Sequence, residues 1–204
     1  MEYCFTLENI DLVLTADVLR NLATVAGAII AAWALGTWKR QLRGSHKYNV
    51  ALKALSAAYH IGEALQAVRN PMLYLKKEEV DAGKWVQEEQ RIYDERLKYV
   101  DQKWAEVSPS ILEAQILWGA DAKKCFDSLR KCTGSLKASI WMHFWLKGVY
   151  APSAAHIDNN PERIADNNRV VYRLSEDVNE DEFSRKVQTA VEQVENQFRP
   201  KMGG

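Results

Sequence analysis

The chain has 204 residues, of which 47% are hydrophobic and 26% charged, and it contains only 10 glycines and 5 prolines. This composition is that of a folded protein and excludes a disordered or low-complexity chain. The formal net charge is zero, and because no basic stripe occurs beyond one short cluster, we expect no binding of nucleic acid.

A long apolar segment, residues 18–38, is the most distinctive feature of the N-terminal part. Within it, residues 22–38 carry no charged side chain. A helix that crosses the hydrocarbon core of a bilayer needs about 20 apolar residues. With Val18 and Leu19 included the segment reaches that length, and Arg20 can extend its guanidinium toward the headgroups. The segment therefore predicts a single transmembrane helix.

Charges are distributed unequally on the two sides of this segment. Residues 1–17 contain four acidic residues and no lysine or arginine, whereas residues 39–53 contain five basic residues and no acid. Because basic residues are retained on the cytoplasmic side, this asymmetry predicts an N-terminus outside and a cytoplasmic C-terminal part. Indole rings and basic side chains favour the interface and contact lipid headgroups. The predicted membrane-interface residues are Trp33, Trp38, Lys39, Arg40 and Arg43.

Two other structures have an apolar segment at such a position. A cleaved signal peptide would have a basic region before its apolar core, and the acidic residues here argue against it. A core helix of a soluble bundle would also be apolar and rich in small residues. The charge asymmetry favours the membrane, but the core-helix alternative stays open at this point.

Small residues recur every four positions along the apolar segment. This spacing lets two helix backbones approach closely, so it predicts self-association in the membrane and a homo-oligomer. The predicted helix-association residues are Ala23, Gly27 and Ala31 on one stripe, and Ala28, Ala32 and Gly36 on an adjacent one.

Behind the segment, residues 46–69 have the apolar repeat of an amphipathic helix, which Asn70 and Pro71 end. This helix either continues the apolar segment past Gly44 or turns there. The runs GTWKRQLRG and AVRNPM, within residues 36–72, resemble uncharacterised bacterial membrane proteins with one N-terminal span. The resemblance implies the same single-pass topology and no particular activity.

Two further helices are predicted from heptad spacing. Residues 76–107 and 110–132 each repeat apolar positions at alternating intervals of four and three, and Ser108-Pro109-Ser110 separates them. This pattern predicts an antiparallel helical hairpin. Its seam consists of Val86, Tyr93, Leu97, Val100, Trp104 and Val107, then Ile111, Trp118, Ala122, Cys125, Leu129 and Cys132. The two cysteines are accordingly expected to be buried, unreactive thiols.

Aromatic side chains are concentrated in residues 136–150, which follow a predicted helix end at residues 133–135. Three structures fit this region: a core helix that closes the bundle, a membrane-surface helix, and a ligand pocket lined by Trp141 and Trp145 with His143.

The C-terminal part is predicted as a loop followed by one helix. Residues 151–169 are expected to form a loop with one helical turn, and residues 170–172 a short extended piece. Asp177 or Asn179 is expected to cap the final helix. The apolar face of that helix consists of Phe183, Val187, Val191, Val194 and Phe198.

No pattern of residues indicates catalysis, a cofactor or a metal. His60 and Glu63 form a single pair, whereas a di-iron bundle needs two such motifs and further inward glutamates. The acidic residues after Asp177 lack the glycine and the final glutamate of a calcium loop. No glycine-rich phosphate loop and no nucleophile elbow occurs. We therefore expect a protein that is not an enzyme.

These patterns predict an all-α protein with an N-terminal transmembrane helix, then an antiparallel helical bundle that includes the heptad-patterned hairpin. The expected domains are an extracytoplasmic tail (1–17), the transmembrane helix (18–38) and a cytoplasmic helical domain (39–204). We expect a scaffold, a sensor or the membrane component of a multi-protein system in a bacterial inner membrane, such as a defence or toxin effector, with lipids and protein as partners. The alternatives are a soluble helical interaction module and a small-ligand binder using residues 141–145.

Overall fold

A computed structural model describes residues 12–150, 160–175, 177, 178 and 180–202, with side chains from residue 16 onward. It divides into two compact units, Met1–His46 and Lys47–Gly204. The predictions for residues 1–11 and 151–159, and the capping role of Asn179, lie outside the described residues.

The described part of the chain is helical, as predicted, and contains no strand. The helices are α1 (Leu12–Val68), α2 (Lys77–Asp81), α3 (Trp85–Trp118), α4 (Asp121–Lys124), α5 (Asp127–Leu146), α6 (Pro161–Val171) and α7 (Glu182–Phe198), and a 3-10 helix (Arg199–Lys201) follows. From Lys47 onward these helices pack into an antiparallel bundle around one core.

Helix α1 passes through Gly44 without a break and ends at Val68, directly before the Asn70-Pro71 stop that the sequence predicts. All described side chains from Ala16 to Asn49 are exposed, whereas Val50 begins a buried face. In this structure residues 18–38 are therefore exposed and not packed into a core. In the residues that the structure describes, one helix, Ala16–Val68, is long and apolar enough to cross a membrane.

The predicted hairpin seam lies in the core. Every seam position is either buried or packed against the buried cluster. Contacts between α3 and α5 run in opposite directions along the two helices: Tyr93 contacts Phe144 near one end, and Trp104 donates to Thr133 near the middle. The heptad spacing therefore identified the buried positions, but the antiparallel partners are α3 and α5, because Ile111 and Trp118 belong to α3 itself.

The predicted boundaries of the hairpin are wrong. Helix α3 continues through Pro109, and the chain reverses at Gly119 instead. Gly119 has a φ of +82°, a conformation that side-chain-bearing residues rarely adopt. Pro109 is tolerated because Val107 and Ile111 on either side of it are both buried in the core. Burial of this shared face outweighs the hydrogen bond that the proline removes.

Helix α5 also differs from its prediction, since it passes through residues 133–135 where a helix end was expected. Thr133 is buried within this helix and donates to the Leu129 carbonyl. Leu136, Ile140 and Phe144 are buried on one face. The core-helix interpretation of residues 136–150 is confirmed for that face.

The C-terminal region is more helical than predicted. Residues 161–171 form helix α6 rather than one turn, so the extended conformation expected for residues 170–172 is found only at Tyr172. Helix α7 has the predicted buried face, but Asp181 caps it rather than Asp177. Its side chain accepts from the backbone N–H groups of Phe183 and Ser184.

Candidate functional site

The first candidate surface is the exposed part of α1. Trp33 and Trp38 are 75% and 61% exposed, and the predicted interface residues Lys39, Arg40 and Arg43 are exposed as well. The two hydroxyl side chains of the apolar segment donate to the helix's own backbone, Thr24 to the Arg20 carbonyl at 2.9 Å and Thr37 to the Trp33 carbonyl at 3.0 Å. Such internal bonds satisfy these hydroxyls, as a hydrocarbon environment requires.

The predicted helix-association residues lie on the same exposed helix. All six are exposed, and a Cβ atom added at Gly27 or Gly36 would meet nothing within 4 Å. Within the described residues the two small-residue stripes are thus open surfaces. The predicted membrane-interface residues, including Trp33 and Trp38, lie on the same helix.

The second candidate is a trough in the helical unit, bounded by α1, by α7 and by residues 173–175. It is a cavity of about 850 Å³. Gly62 forms its floor, where a Cβ atom would lie 3.1 Å from Cγ2 of Val191, so the two helices approach closely there. Val187 and Val191 line one wall, and Leu174 and Met72 line the rim. Sequence reasoning missed this trough.

One end of the trough is closed by a hydrogen bond between the two helices. The Tyr59 hydroxyl of α1 donates to Oε2 of Glu195 on α7 at 2.8 Å. This bond to a carboxylate, followed by desolvation, raises the pKa of Tyr59. The opposite end is formed by Asn70, Pro71 and Arg173.

A buried polar network supports the floor of the trough at that opposite end. Arg69 is fully buried, and its Nη1 lies 2.8 Å from Oδ2 of Asp181. Its other nitrogens donate to carbonyl oxygens at the C-terminal end of α6. Those carbonyls belong to Arg169, Val170 and Tyr172. The guanidinium thus fastens the end of α1 to the beginning of α7, and we call this group the Arg69 network.

The Arg69 network also orients two side chains that line the trough. Ser184 accepts from Arg69 Nη1 at 2.9 Å, and Gln66 Oε1 accepts from Arg69 and from the Ser184 hydroxyl. Desolvation alone would raise the pKa of Asp181, but hydrogen bonds from Arg69 and Ser184 outweigh it, so that pKa is lowered. Asp181 therefore stays ionised beside the guanidinium.

A second buried polar cluster lies between α3 and α5. Glu89 is contacted by His143 Nε2 at 3.0 Å and by Lys147 Nζ at 2.5 Å. Because a carboxylate only accepts, the proton resides on Nε2 of the imidazole. Burial would raise the pKa of Glu89, yet these two hydrogen bonds lower it on balance. The Tyr172 hydroxyl lies 3.3 Å from the same Nε2.

The aromatic residues expected to line a ligand pocket pack on one another instead. Trp141 stacks on Trp145 at 5.2 Å and on Tyr150 at 6.0 Å. His143 is buried and directed at Glu89. His143 therefore contacts Glu89 and not the two indoles, and this contact connects α5 to α3.

The described residues contain no group of three or more His, Cys, Asp or Glu side chains that could hold a metal ion. The described cysteines, Cys125 and Cys132, are half-buried and buried, and burial raises the pKa of both thiols. Raised thiol pKa values oppose nucleophilic chemistry. What the described geometry offers is an exposed apolar helix and an apolar trough.

Comparison with known proteins gives no match: no family model fits the chain, and neither a curated protein nor a solved structure is detectably similar to it.

Proposed function

We propose that this protein is a single-pass membrane protein whose N-terminal helix anchors a helical unit that acts through protein–protein contacts, as a scaffold, a sensor or a membrane component of a larger system. The observation that carries the proposal is the exposure of the apolar segment: every described side chain from Ala16 to Asn49 is exposed. Large exposed apolar surfaces mark sites at which a membrane or another protein binds.

A bilayer is the covering phase that fits this surface best. The most apolar 18-residue stretch of this helix has a mean hydropathy of 1.6, and none of that stretch is buried. Core helices and signal sequences share such length and hydropathy. The complete exposure of the window and the flanking charges support a membrane anchor instead. Basic residues follow the apolar segment at Lys39, Arg40 and Arg43, which supports a cytoplasmic helical unit.

Membrane extraction tests the anchor. The full chain is expected to stay in the membrane pellet after an alkaline carbonate wash. Replacing Ile29 and Ile30 with lysine places two charges at the helix centre, at a cost of about 3 kcal/mol each, and is expected to release the chain. The matched control is the same double change at the exposed Leu112 and Ile116 of α3. Release of the unmodified chain by the wash would refute the anchor.

Orientation is tested by thiol labelling of intact cells with a membrane-impermeant maleimide. Cys4 precedes the apolar segment and should react in intact cells. A cysteine introduced by Ser45→Cys follows the segment and should react only after permeabilisation. The reverse pattern would contradict the proposed topology.

Self-association through the small-residue stripes is part of the same proposal. Gly27→Leu and Ala31→Leu would each add a bulky side chain to one stripe and are expected to weaken resonance energy transfer between labelled copies in vesicles. Val25→Leu, on the same helix but on neither stripe, is the control. Equal transfer in all variants would show that these stripes do not form the contact.

A further inference from the structure

We propose that one end of the helical unit binds the headgroups of an anionic bilayer. Four lysines from three separate parts of the chain form this surface, which we call the basic end. They are Lys47, Lys53, Lys123 and Lys201. The first three are exposed and Lys201 is half-buried. The inference rests on the proposed membrane anchor, which brings a bilayer within reach, and it adds the lipid charge that the helical unit recognises.

Helix α7 packs antiparallel to the part of α1 that belongs to the helical unit. Tyr59 of α1 donates to Glu195 of α7, and further along α1 Gly62 lies against the side chain of Val191. Residue numbers thus rise along α1 while they fall along α7. Because both helices rise about 1.5 Å per residue, this register places the 3-10 helix after α7 beside Lys53.

The turn between α3 and α5 belongs to the same end. Trp118 at the end of α3 and Phe126 before α5 both contact the Phe198 ring at the end of α7, with centroids 5.6 Å and 6.3 Å apart. Nζ of Lys201 lies 5.6 Å from the centroid of the Trp118 ring. Helix α4, which lies between Trp118 and Phe126, therefore places Lys123 at the basic end.

The acidic residues at this end do not cancel the four lysines. Asp121 pairs with Lys124 at 3.2 Å, and Glu195 pairs with Arg199, so these charges offset one another. Asp127 remains. It stands against four lysines that form no salt bridge within the residues that the structure describes. The basic end therefore carries a net positive charge.

At the opposite end of the helical unit the charges balance. Trp85 and Trp118 begin and end α3, and a helix of that length separates its two ends by about 50 Å. Next to Trp85, residues 76–84 contain three lysines and three acidic residues. One of these lysines, Lys84, lies 3.6 Å from Glu79. The excess positive charge therefore distinguishes the basic end from the opposite one.

The chain keeps the basic end close to the bilayer that the anchor would occupy. The predicted transmembrane segment ends at Trp38, nine residues before Lys47, and nine residues span at most about 32 Å. Each lysine near an anionic leaflet strengthens binding about fivefold. This attraction decays within roughly 8–10 Å at physiological salt. A surface of four lysines therefore favours anionic over zwitterionic headgroups.

Quenching of a fluorophore by nitroxide-labelled lipid headgroups tests the proposal. The full chain, with Cys4→Ser, is placed in vesicles of phosphatidylcholine alone or in vesicles that also contain phosphatidylglycerol. A bimane on a cysteine introduced by Ala120→Cys reports the basic end, and one introduced by Ala82→Cys reports the opposite end; both positions are exposed. A chain without an introduced cysteine gives the background from the half-buried and buried Cys125 and Cys132.

We expect quenching at position 120 to be stronger in the anionic vesicles, and quenching at position 82 to be the same in both. Raising the salt to 1 M shortens the screening length to about 3 Å and should abolish the difference. Neutralising three lysines of the basic end should abolish it as well. That variant carries Lys53→Gln, Lys123→Gln and Lys201→Gln. The control variant, which should retain the difference, carries Lys76→Gln, Lys77→Gln and Lys84→Gln.

Equal quenching at position 120 in the two kinds of vesicle overturns the proposal, and so does a difference that the first variant retains. Flotation separates this result from a failure of the anchor. A chain that floats with neutral vesicles but shows no dependence on lipid charge keeps the anchor and loses the basic end. A chain that floats only with anionic vesicles loses the anchor and keeps the basic end. Circular dichroism confirms that each variant is folded.

Discussion

The guanidinium of Arg69 and the carboxylate of Asp181 lie 2.8 Å apart in the interior of the helical unit, although 112 positions separate them in the chain. The same carboxylate accepts the backbone N–H groups of Phe183 and Ser184 and so caps α7. The Asp181 side chain therefore neutralises the buried Arg69 guanidinium and caps the N-terminus of α7. Loss of this pair is expected to weaken the packing at the end of α1 and at the start of α7.

Replacing Arg69 with methionine is expected to destabilise the protein by about 3–5 kcal/mol, because it leaves the Asp181 carboxylate buried without its partner. Unfolding by urea in mild detergent measures the loss. Arg169→Met is the control: Arg169 pairs with Asp166 on the surface, with 77% and 71% of the two side chains exposed. Such exposed pairs contribute about 0–1 kcal/mol. A loss of similar size in both variants would contradict the special role of Arg69.

Stability is expected to fall in acid because of Glu88. Hydrogen bonds from Arg91 lower the pKa of this carboxyl from 4.5 to about 2. In the unfolded chain Glu88 takes up its proton near pH 4.5, whereas in the folded chain it does so only near pH 2. The stabilisation is thus complete above pH 4.5 and lost as the pH falls through 2.

The free energy of unfolding, measured at a series of pH values across this window, tests the assignment. Glu88→Gln should flatten the dependence, and the exposed Glu113→Gln should leave it unchanged. An identical slope for Glu88→Gln and the unmodified chain would contradict the prediction.

Slow thiol chemistry is expected at Cys125. Burial raises its pKa from 9.0 to about 11, so the thiolate fraction near neutral pH is roughly a hundredfold lower than for an ordinary thiol. In a Cys4→Ser background, maleimide labelling at pH 8 should be slower at Cys125 by on the order of a hundredfold than at an exposed cysteine introduced by Ala105→Cys. Comparable rates at the two positions would show that Cys125 is accessible and ionised.

Pro109→Ala is expected to stabilise the protein by about 1–3 kcal/mol. Pro109 lies inside α3 and is exposed, so the alanine restores a backbone hydrogen bond to Ala105 and removes a steric clash without loss of packing. Thermal unfolding measures the gain. Pro161→Ala is the control, since Pro161 begins α6, where proline fits the helix. A destabilised Pro109→Ala variant would contradict this prediction.

The structure shows which parts of the fold follow from local signals. The end of α1 before Asn70 was predicted, because Pro71 disfavours helical backbone at the residue that precedes it. The buried seam was predicted as well, because the spacing of apolar residues indicates that Val100 and Leu129 are buried. Both signals act within a few residues of the feature that they determine.

Other parts depend on competition between local and tertiary effects. Pro109 predicts a helix end, but the apolar face continues across it from Val107 to Ile111 and the helix stays intact. Gly119, followed by the acidic residue Asp121 at the start of α4, is the sequence signal for the reversal. The spacing of apolar residues on the two sides of a proline therefore indicates whether the helix continues through it.

The trough and the Arg69 network could not be predicted from the sequence. Nothing in its immediate neighbours distinguishes Arg69 from the other basic residues, because its partners Asp181 and Ser184 are more than a hundred positions away. The trough could not be predicted for the same reason, because it forms where α1 packs on α7 and these helices are far apart in the sequence. The small side chains of Gly62 and Ala67, which both line the trough, were a weak local sign.

The Arg69–Asp181 pair also bears on the synthesis of the protein. Chains emerge from the ribosome at about 5–20 residues per second, so Arg69 is made many seconds before the carboxylate that neutralises it. Until Asp181 appears, burial of the guanidinium is unfavourable and α1 cannot complete its packing. A chain truncated before Asp181 would keep this face exposed to chaperones and proteases, and only a nearly full-length chain could close the core.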